Sequence, residues 1–495
     1  KNKVDPVAIR HLMPSLRMPD LSALGLLEYD LRFKGKPTAF NVRLASSSNV
    51  GSVDVDGNVD FRETLFSYDG TVKTSRFNLG LLVGDSSLAS RLEATISVQG
   101  RGTRLADMTC VARAGIDSSE FHGLPVSRSV AVVDIADGII RPRVSLRIGS
   151  SRVDLGGTLQ VRPQDVVHYD ISGRINSLNL ADLTKKDQHN SDISFDLQAR
   201  GDFKTPEALA GNFDLTFFRS SFDTVQFAGG PAAIRINTLG AEPQTLTVNS
   251  GVFDLDVQGR FTPSTVATAL ARGVALVDDA IRYRLVSLDS LRTEKSNQQV
   301  AREFHSSVGS THDSTSYKFT LNVNDSYPIG VVLGRELEGS FTASGHVVAG
   351  DGGTQCDATA NVQVLRYADR SISVAVEGGR LSFNADGLTP TRLIQSMGLS
   401  LGARAKRFDI DGLQTANLAV DLKMHGDSSS FEVEALVDSV ATVKARGSGT
   451  YANRLFSLNL DMLQADFNSH VFQNSGTVGL KVGRDGLQVS NMLMR

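Results

Sequence analysis

Hydrophobic and polar residues alternate with period two along most of the chain. Val53, Val55, Gly57, Val59 and Phe61 are separated by Asp54, Asp56, Asn58 and Asp60. Leu92, Ala94, Ile96 and Val98 repeat the pattern against Glu93, Thr95 and Ser97, and Val144, Leu146 and Ile148 against Ser145 and Arg147. It returns at Ile193, Phe195, Leu197 and Ala199, at Phe253, Leu255 and Val257, and at Tyr317, Phe319, Leu321 and Val323. Near the far end it recurs at Leu418, Val420, Leu422 and Met424, and at Phe431, Val433 and Ala435. Successive side chains of a strand point to opposite faces, so each segment predicts a strand with one apolar and one wet face. One-sided strands belong to antiparallel sheets, because parallel strands read as continuous apolar runs. Asp56-Gly57, Asp69-Gly70, Gly156-Gly157, Asp386-Gly387 and Asp485-Gly486 are read as the turns between strands.

Helical patterning is sparse. One longer helix is predicted from Thr262-Pro263-Ser264 to about Phe304, where Val266, Leu270, Val274, Val277, Ile281, Leu285 and Leu288 recur at three- and four-residue steps. The stretch from Arg292 to Thr315 is polar and reads as a loop or frayed end. Short helices are predicted after Thr389-Pro390, through Leu393, Ile394 and Met397, and after Thr205-Pro206, as far as Gly211. The expected organisation is a mostly β chain: strands over 1–262, a helical segment and polar loop over 263–310, and strands again over 311–495. An exact internal repeat is absent; what recurs is a loose strand–turn–strand unit.

Composition narrows the function. With 51 Lys+Arg against 54 Asp+Glu the net charge is −3, which argues against nucleic-acid or polybasic membrane binding. Two cysteines, Cys110 and Cys356, cannot build a disulfide scaffold or a zinc module, and both are expected to be free thiols. The chain starts at Lys1 and stops at Met494-Arg495, and no run approaches 18 apolar residues. It is expected to be a segment of a longer protein whose targeting and anchoring signals lie elsewhere.

Catalytic and metal-binding signatures are missing. His305 and His312 stand seven apart in a polar stretch, with no His-Glu-x-x-His or paired Cys-x-x-Cys. Gly100-Arg101-Gly102 lacks the third glycine of a dinucleotide loop. Asp54/Asp56 and Asp254/Asp256 put two carboxylates on one strand face, which a calcium site or glycosidase would use but a solvated face carries routinely. Arg404, Lys406 and Arg407 form a small basic cluster, read as a solvated turn. Neither catalysis, a metal nor a cofactor is expected.

The apolar faces need a cover. Two sheets can cover one another as a sandwich, or one sheet can curl so that its apolar face lines a groove, and alternation alone does not separate these. The stretch Ser172-Gly173-Arg174-Ile175-Asn176-Ser177-Leu178-Asn179-Leu180-Ala181-Asp182-Leu183, then Gly201 to Leu215, then Val248-Asn249-Ser250-Gly251-Val252-Phe253-Asp254-Leu255-Asp256-Val257-Gln258-Gly259-Arg260-Phe261, carries a characteristic cadence. Gly378 to Leu388 and Gly412 to Leu422 echo it. In this cadence the chain resembles the TamB/AsmA-like family (translocation and assembly module), most closely over about 170–265; the helix expected from 264 is not part of it.

That resemblance implies an elongated, curled antiparallel β-sheet, a β-taco, whose apolar interior carries phospholipid acyl chains between the inner and outer membranes. It implies a place in the periplasm of a Gram-negative-type envelope, an inner-membrane anchor outside this segment, and an outer-membrane β-barrel partner reached through other regions. The residues expected to line the groove are Phe195, Leu197, Phe213, Leu215, Leu246, Val248, Phe253, Leu255, Val257, Phe261, Phe319, Leu321, Val420 and Leu422. The alternative is a structural or adhesive β-sandwich or β-solenoid envelope protein that moves no lipid; a polysaccharide-active β-helix enzyme is a distant third.

Overall fold

The computed structural model describes residues 2–4, 24–85, 88–184, 190–223, 225–240, 242–265, 315–333, 336–350, 353–368, 373–388, 398–426, 428–452, 455–468, 470–483 and 486–495. The chain is mostly β and its strands pair antiparallel, as the alternation predicts. Two compact units divide it: Lys1–Lys204 with Gly211–Ala232, and Thr205–Ala210 with Ala233–Arg495.

In the first unit, strands Leu27–Lys36, Ala39–Ser48, Gly51–Asp60, Ser67–Phe77, Ser90–Arg101, Thr109–Ile116, Ser129–Ala136, Ile139–Ile148, Ser151–Arg162, Val166–Leu178 and Ser191–Thr205 each pair with the next. The small hairpin Ser119–Phe121 and Leu124–Val126 bonds back to Ser90 and to Ile148. In the second unit the same meander runs through Gln244–Ser250, Phe253–Arg260, Thr315–Val323, Glu336–Gly350, Gly353–Ala368, Ser373–Leu388, Gly398–Ile410 and Leu413–His425. It goes on through Ser428–Val437, Ala441–Ala452, Leu455–Phe467, Val478–Gly483 and Gly486–Ser490. Nearly every pairing joins strands close in sequence.

Four of the five expected turns fall inside strands, while Asp485 of the fifth, Asp485-Gly486, lies outside the described residues, between the paired strands Val478–Gly483 and Gly486–Ser490. Gly57 and Gly70 face each other inside paired strands, Gly156 and Gly157 lie within Ser151–Arg162, and Asp386-Gly387 lies within Ser373–Leu388. The hairpin turns sit instead at positions such as Asp137-Gly138 (φ 54° and 72°) and Asp411-Gly412 (φ 50° and 86°). Both central residues are left-handed there, the geometry whose twist matches the flanking strands. The glycines inside strands serve a different end. At Gly345 a Cβ would stand 2.3 Å from the Asp357 carbonyl oxygen and 2.9 Å from the Phe319 ring. At Gly447 it would stand 2.2 Å from the Asn459 carbonyl oxygen and 3.0 Å from the Phe431 ring. Both leave room for an aromatic ring of the neighbouring strand to come close to the backbone.

The helix expected at Thr205-Pro206 is not formed. Pro206 and Glu207 make a two-residue turn, and Ala208–Phe217 is a strand. Thr205 Oγ1 does accept the Ala208 N–H (3.2 Å), as a helix cap would, but it closes a hairpin because Phe213, Leu215 and Phe217 keep the period of two. Of the helix expected from 264 to 304, only the start at Pro263–Thr265 is described; the rest, and the helix expected after Thr389-Pro390, lie outside the described residues.

Short helices do occur at strand ends, and two of them share one design. Asn78 Oδ1 accepts from Leu81 N (3.1 Å) and Ser90 N (3.3 Å), while Ser90 Oγ accepts from Leu79 N (2.8 Å), around helix Leu79–Val83. Asn179 Oδ1 accepts from Ala181 N (3.1 Å) and Ser191 N (3.0 Å), while Ser191 Oγ accepts from Leu180 N (2.7 Å), around helix Leu180–Thr184. Each is an Asn-Leu-x-x-Leu opening answered by a serine twelve residues after the asparagine. Both satisfy the free helix N–H groups and pin the connection to one edge of the first unit.

Candidate functional site

Residues directly opposite one another in an antiparallel pair share a face. Following the register across the second unit therefore traces rows of side chains perpendicular to the strands. One row runs Val248, Leu255, Leu321, Ala343, Ala360, Leu381, Ala403, Val420, Val433, Ala445, Leu463. The row two residues away along each strand, three where the register shifts between Leu463 and Leu460, runs Leu246, Val257, Phe319, Gly345, Ala358, Phe383, Leu401, Leu422, Phe431, Gly447, Leu460, Val478. Every position is apolar or glycine. Between them, on the other face, lie Thr247, Asp256, Thr320, Ser344, Thr359, Ser382, Gly402, Asp421, Glu432 and Arg446.

The first unit repeats this arrangement. Its apolar row is Leu31, Leu44, Val55, Val72, Ile96, Ala114, Ala131, Val144, Leu155, Gly173, Leu197. Leu146, Val153, Ile175 and Phe195 follow beside it. Phe213 joins the same face through Tyr169 (ring centroids 6.1 Å apart) and Phe217 through Phe195 (5.3 Å), which places Leu215 there too.

Coverage of this face is partial. In a sandwich core the inward residues would be fully buried. Here most are half-buried, and two members of the rows, Leu31 and Leu381, are 42% and 39% exposed. Each meander presents a wide apolar strip that its own strands do not cover, far beyond isolated exposed hydrophobics. Full burial is local. Val257, Phe261, Tyr317 and Val347 form a packed cluster with Leu246, Leu255, Phe319 and Cys356 against it. Phe261 meets Tyr317 edge-on at 6.2 Å. The Tyr317 hydroxyl has no partner, and burial pushes it up to about 12. In the first unit Tyr68 is likewise pushed up to about 12, by burial and then by its hydrogen bond with Cys110.

The opposite face is wet and charge-paired. Arg43 meets Asp56 at 2.9 Å, Arg174 meets Asp196 at 2.6 Å, Arg200 meets Asp170 at 2.7 Å and Arg404 meets Asp421 at 2.6 Å. The hydrogen bond from Arg174 holds the Asp196 carboxyl below its ordinary value. Asp56 and Arg404, singled out in the sequence, are thus engaged in cross-strand pairs, and Arg407 reaches Glu377 at 3.4 Å.

All the residues expected to line a groove fall on the apolar face. Phe195, Leu197, Phe213 and Leu215 do so in the first unit. Leu246, Val248, Phe253, Leu255, Val257, Phe319, Leu321, Val420 and Leu422 do so in the second, and Phe261 sits in the buried cluster at the end of its strand. Missing from that expectation were Leu44, Val72, Ala131 and Leu155 in the first unit and Leu381, Phe383, Leu401 and Leu463 in the second. The alternation that marks them was legible, but only the register shows that they align into rows. Cys110 and Cys356 are both free thiols and lie in different units.

One serine–histidine contact lies on the wet face of the second unit. Ser316 Oγ and His346 Nε2 are 3.2 Å apart, and Asp357 stands opposite His346 in the register. Asp357 also accepts from Asn384 Nδ2, and the backbone N–H groups around His346 are used in the strand ladder. Among the described residues no group of His, Cys, Asp and Glu is placed to hold a metal ion, and no helix is long and apolar enough to cross a membrane. No protein-family model, curated protein or solved structure matches the chain.

Proposed function

We propose that this chain is a binding and transport protein of the cell envelope, whose apolar face holds phospholipid acyl chains between inner and outer membranes while headgroups stay in water. The observation that carries the reading is the pair of apolar rows in the second unit, most of whose members are half-buried, full burial being confined to places such as the cluster at Val257. An acyl chain gains about 0.8 kcal/mol for each CH₂ it removes from water, so a long strip of aliphatic and phenyl groups favours it at every position. The lining is chemically uniform: Val, Leu, Ala, Phe and Gly, without a polar group that would fix one ligand in one place. A surface of that kind favours sliding over tight capture. The resemblance to the TamB/AsmA-like cadence points the same way, and brings with it the proposals of a periplasmic setting, an anchor elsewhere and an outer-membrane partner.

Leu255→Asp tests the reading. Leu255 is half-buried in the first row, so its carboxylate reaches water and the fold should survive. The purified variant is expected to carry clearly less phospholipid, by mass spectrometry of extracted lipids, than the parent or Asp256→Lys on the wet face. A parent protein without bound lipid, or a folded Leu255→Asp that keeps all of it, would contradict the proposal.

A further inference from the structure

Buried polar groups ordinarily find hydrogen-bond partners, and each exception asks for a reason. Four buried side-chain oxygens have none among the described residues: Tyr169 Oη, Thr315 Oγ1, Tyr317 Oη and Ser326 Oγ. Ser326 lies in the connection that follows Val323. The other three belong to the apolar faces. Thr315 and Tyr317 stand two residues apart on one strand, opposite Ala349 and Val347, and are 4% and 1% exposed. They keep the parity of Phe319 and Leu321, so both side chains lie on the face of the rows, just beyond them. Tyr169 is the counterpart in the first unit. It is 5% exposed, opposite Leu159 and Gly201, and flanked by the rings of Phe203 and Phe213 at 6.0 and 6.1 Å. A Cβ at Gly211 would overlap its hydroxyl oxygen, so a glycine keeps the space that this hydroxyl takes.

Packing does not call for these hydroxyls. Phenylalanine would fill the place beside Phe261 and Val347 without burying an unpaired O–H. A donor held in apolar surroundings gains strongly from any acceptor brought to it. The acceptor that suits is uncharged. None of the residues packed at Tyr317 is cationic, so a carboxylate or phosphate there would be an unpaired buried charge. An apolar molecule with a neutral acceptor oxygen fits, and the ester that joins an acyl chain to glycerol is such a group.

We propose that Thr315 and Tyr317 in the second unit, and Tyr169 in the first, donate hydrogen bonds to the acyl ester carbonyl oxygens of a phospholipid. Phe261 stands one residue past its strand Phe253–Arg260 and meets the Tyr317 ring edge-on. An entering acyl chain takes the place of the Phe261 ring and brings its ester to the hydroxyls. The rows favour sliding, and the hydroxyls beside them mark resting places along it. The inference rests on the reading of the apolar face as a lipid surface, and adds the part of the lipid that the face recognises.

Two lipids separate the ester from the hydrocarbon: dioleoyl phosphatidylcholine and its diether analogue, alike in chains and headgroup but without the carbonyls. Each is offered in vesicles to the delipidated protein, and the lipid taken up is counted by mass spectrometry. The parent is expected to hold the diester about tenfold more tightly, the size of one or two net hydrogen bonds. Tyr169→Phe/Thr315→Val/Tyr317→Phe should hold both lipids at the parent's diether level. Tyr317→Phe alone should unfold in urea no earlier than the parent, because it removes a buried unpaired hydroxyl. An equal hold on both lipids by the parent, as when water serves the hydroxyls, would overturn the proposal and leave the lipid-carrying reading standing. A diester preference that survives in the triple variant would do the same. A parent that takes up neither lipid would overturn both. A Tyr317→Phe variant less stable than the parent would show that the hydroxyl is bonded within the fold, and would also overturn the proposal. The comparison of the two lipids on the parent needs no variant, so it decides the matter even if the triple variant fails to fold.

Discussion

Val257→Arg is expected to be the most damaging single change on the apolar face, lowering the stability of the second unit by about 3–5 kcal/mol. Val257 is 1% exposed, enclosed by Phe261, Tyr317 and Val347, with no acidic group within the cluster to receive a guanidinium. The one unpaired polar atom there, the Tyr317 hydroxyl, cannot neutralise a cation. Two residues away the same face behaves differently: Leu255 is half-buried, and a charge there finds water. Asp256→Lys, between them on the wet face, should be nearly silent. Urea denaturation of the three variants checks the ranking Val257→Arg, then Leu255→Asp, then Asp256→Lys. Equal stability of the first and third would mean that the cluster does not form.

Gly345→Leu should be the next most harmful, by about 1–3 kcal/mol, the usual cost of overfilling a packed site. The new Cβ meets the Asp357 carbonyl oxygen at 2.3 Å, and that oxygen belongs to the strand ladder and cannot swing aside. The Phe319 ring at 2.9 Å would also be lifted off the neighbouring strand. Gly115, in the strand Thr109–Ile116, has nothing near its missing Cβ and an ordinary backbone, so Gly115→Ala should change the thermal midpoint little. Melts of the two variants side by side separate the effect of close approach from the mere loss of a glycine. A Gly345→Leu variant as stable as the parent would show that the close approach at Gly345 is absent.

Both expectations turn on features only partly legible in the sequence. Period-two alternation gave the fold class and the facing of each strand, as at Phe253, Leu255 and Val257, because burying one face of a pleated strand leaves no other pattern. It did not place the turns. Asp56-Gly57 and Asp69-Gly70 have the composition of hairpin turns, yet they pair across two strands, whereas Asp137-Gly138 turns. A dipeptide states what backbone is affordable, and the lengths of the flanking strands decide where it is used. The twin Asn–helix–Ser connections at Asn78 and Asn179 passed unseen, since polar spacing of twelve residues looks like loop until the hydrogen bonds close. The difference between Val257 and Leu255 was equally hidden: both are apolar, both face inward, and only the packing of Phe261 and Tyr317 makes one of them core.

Positional photo-crosslinking tests the central claim most directly. A photoreactive phenylalanine analogue is placed at Leu381, in the apolar row, and separately at Ser382, its neighbour on the wet face; both side chains are exposed enough to accept it. After irradiation in a phospholipid-containing envelope preparation, adducts are read by mass spectrometry. An apolar face that carries acyl chains yields phospholipid adducts at 381 and few at 382. Adducts absent from both positions, or equally abundant at both, would contradict it.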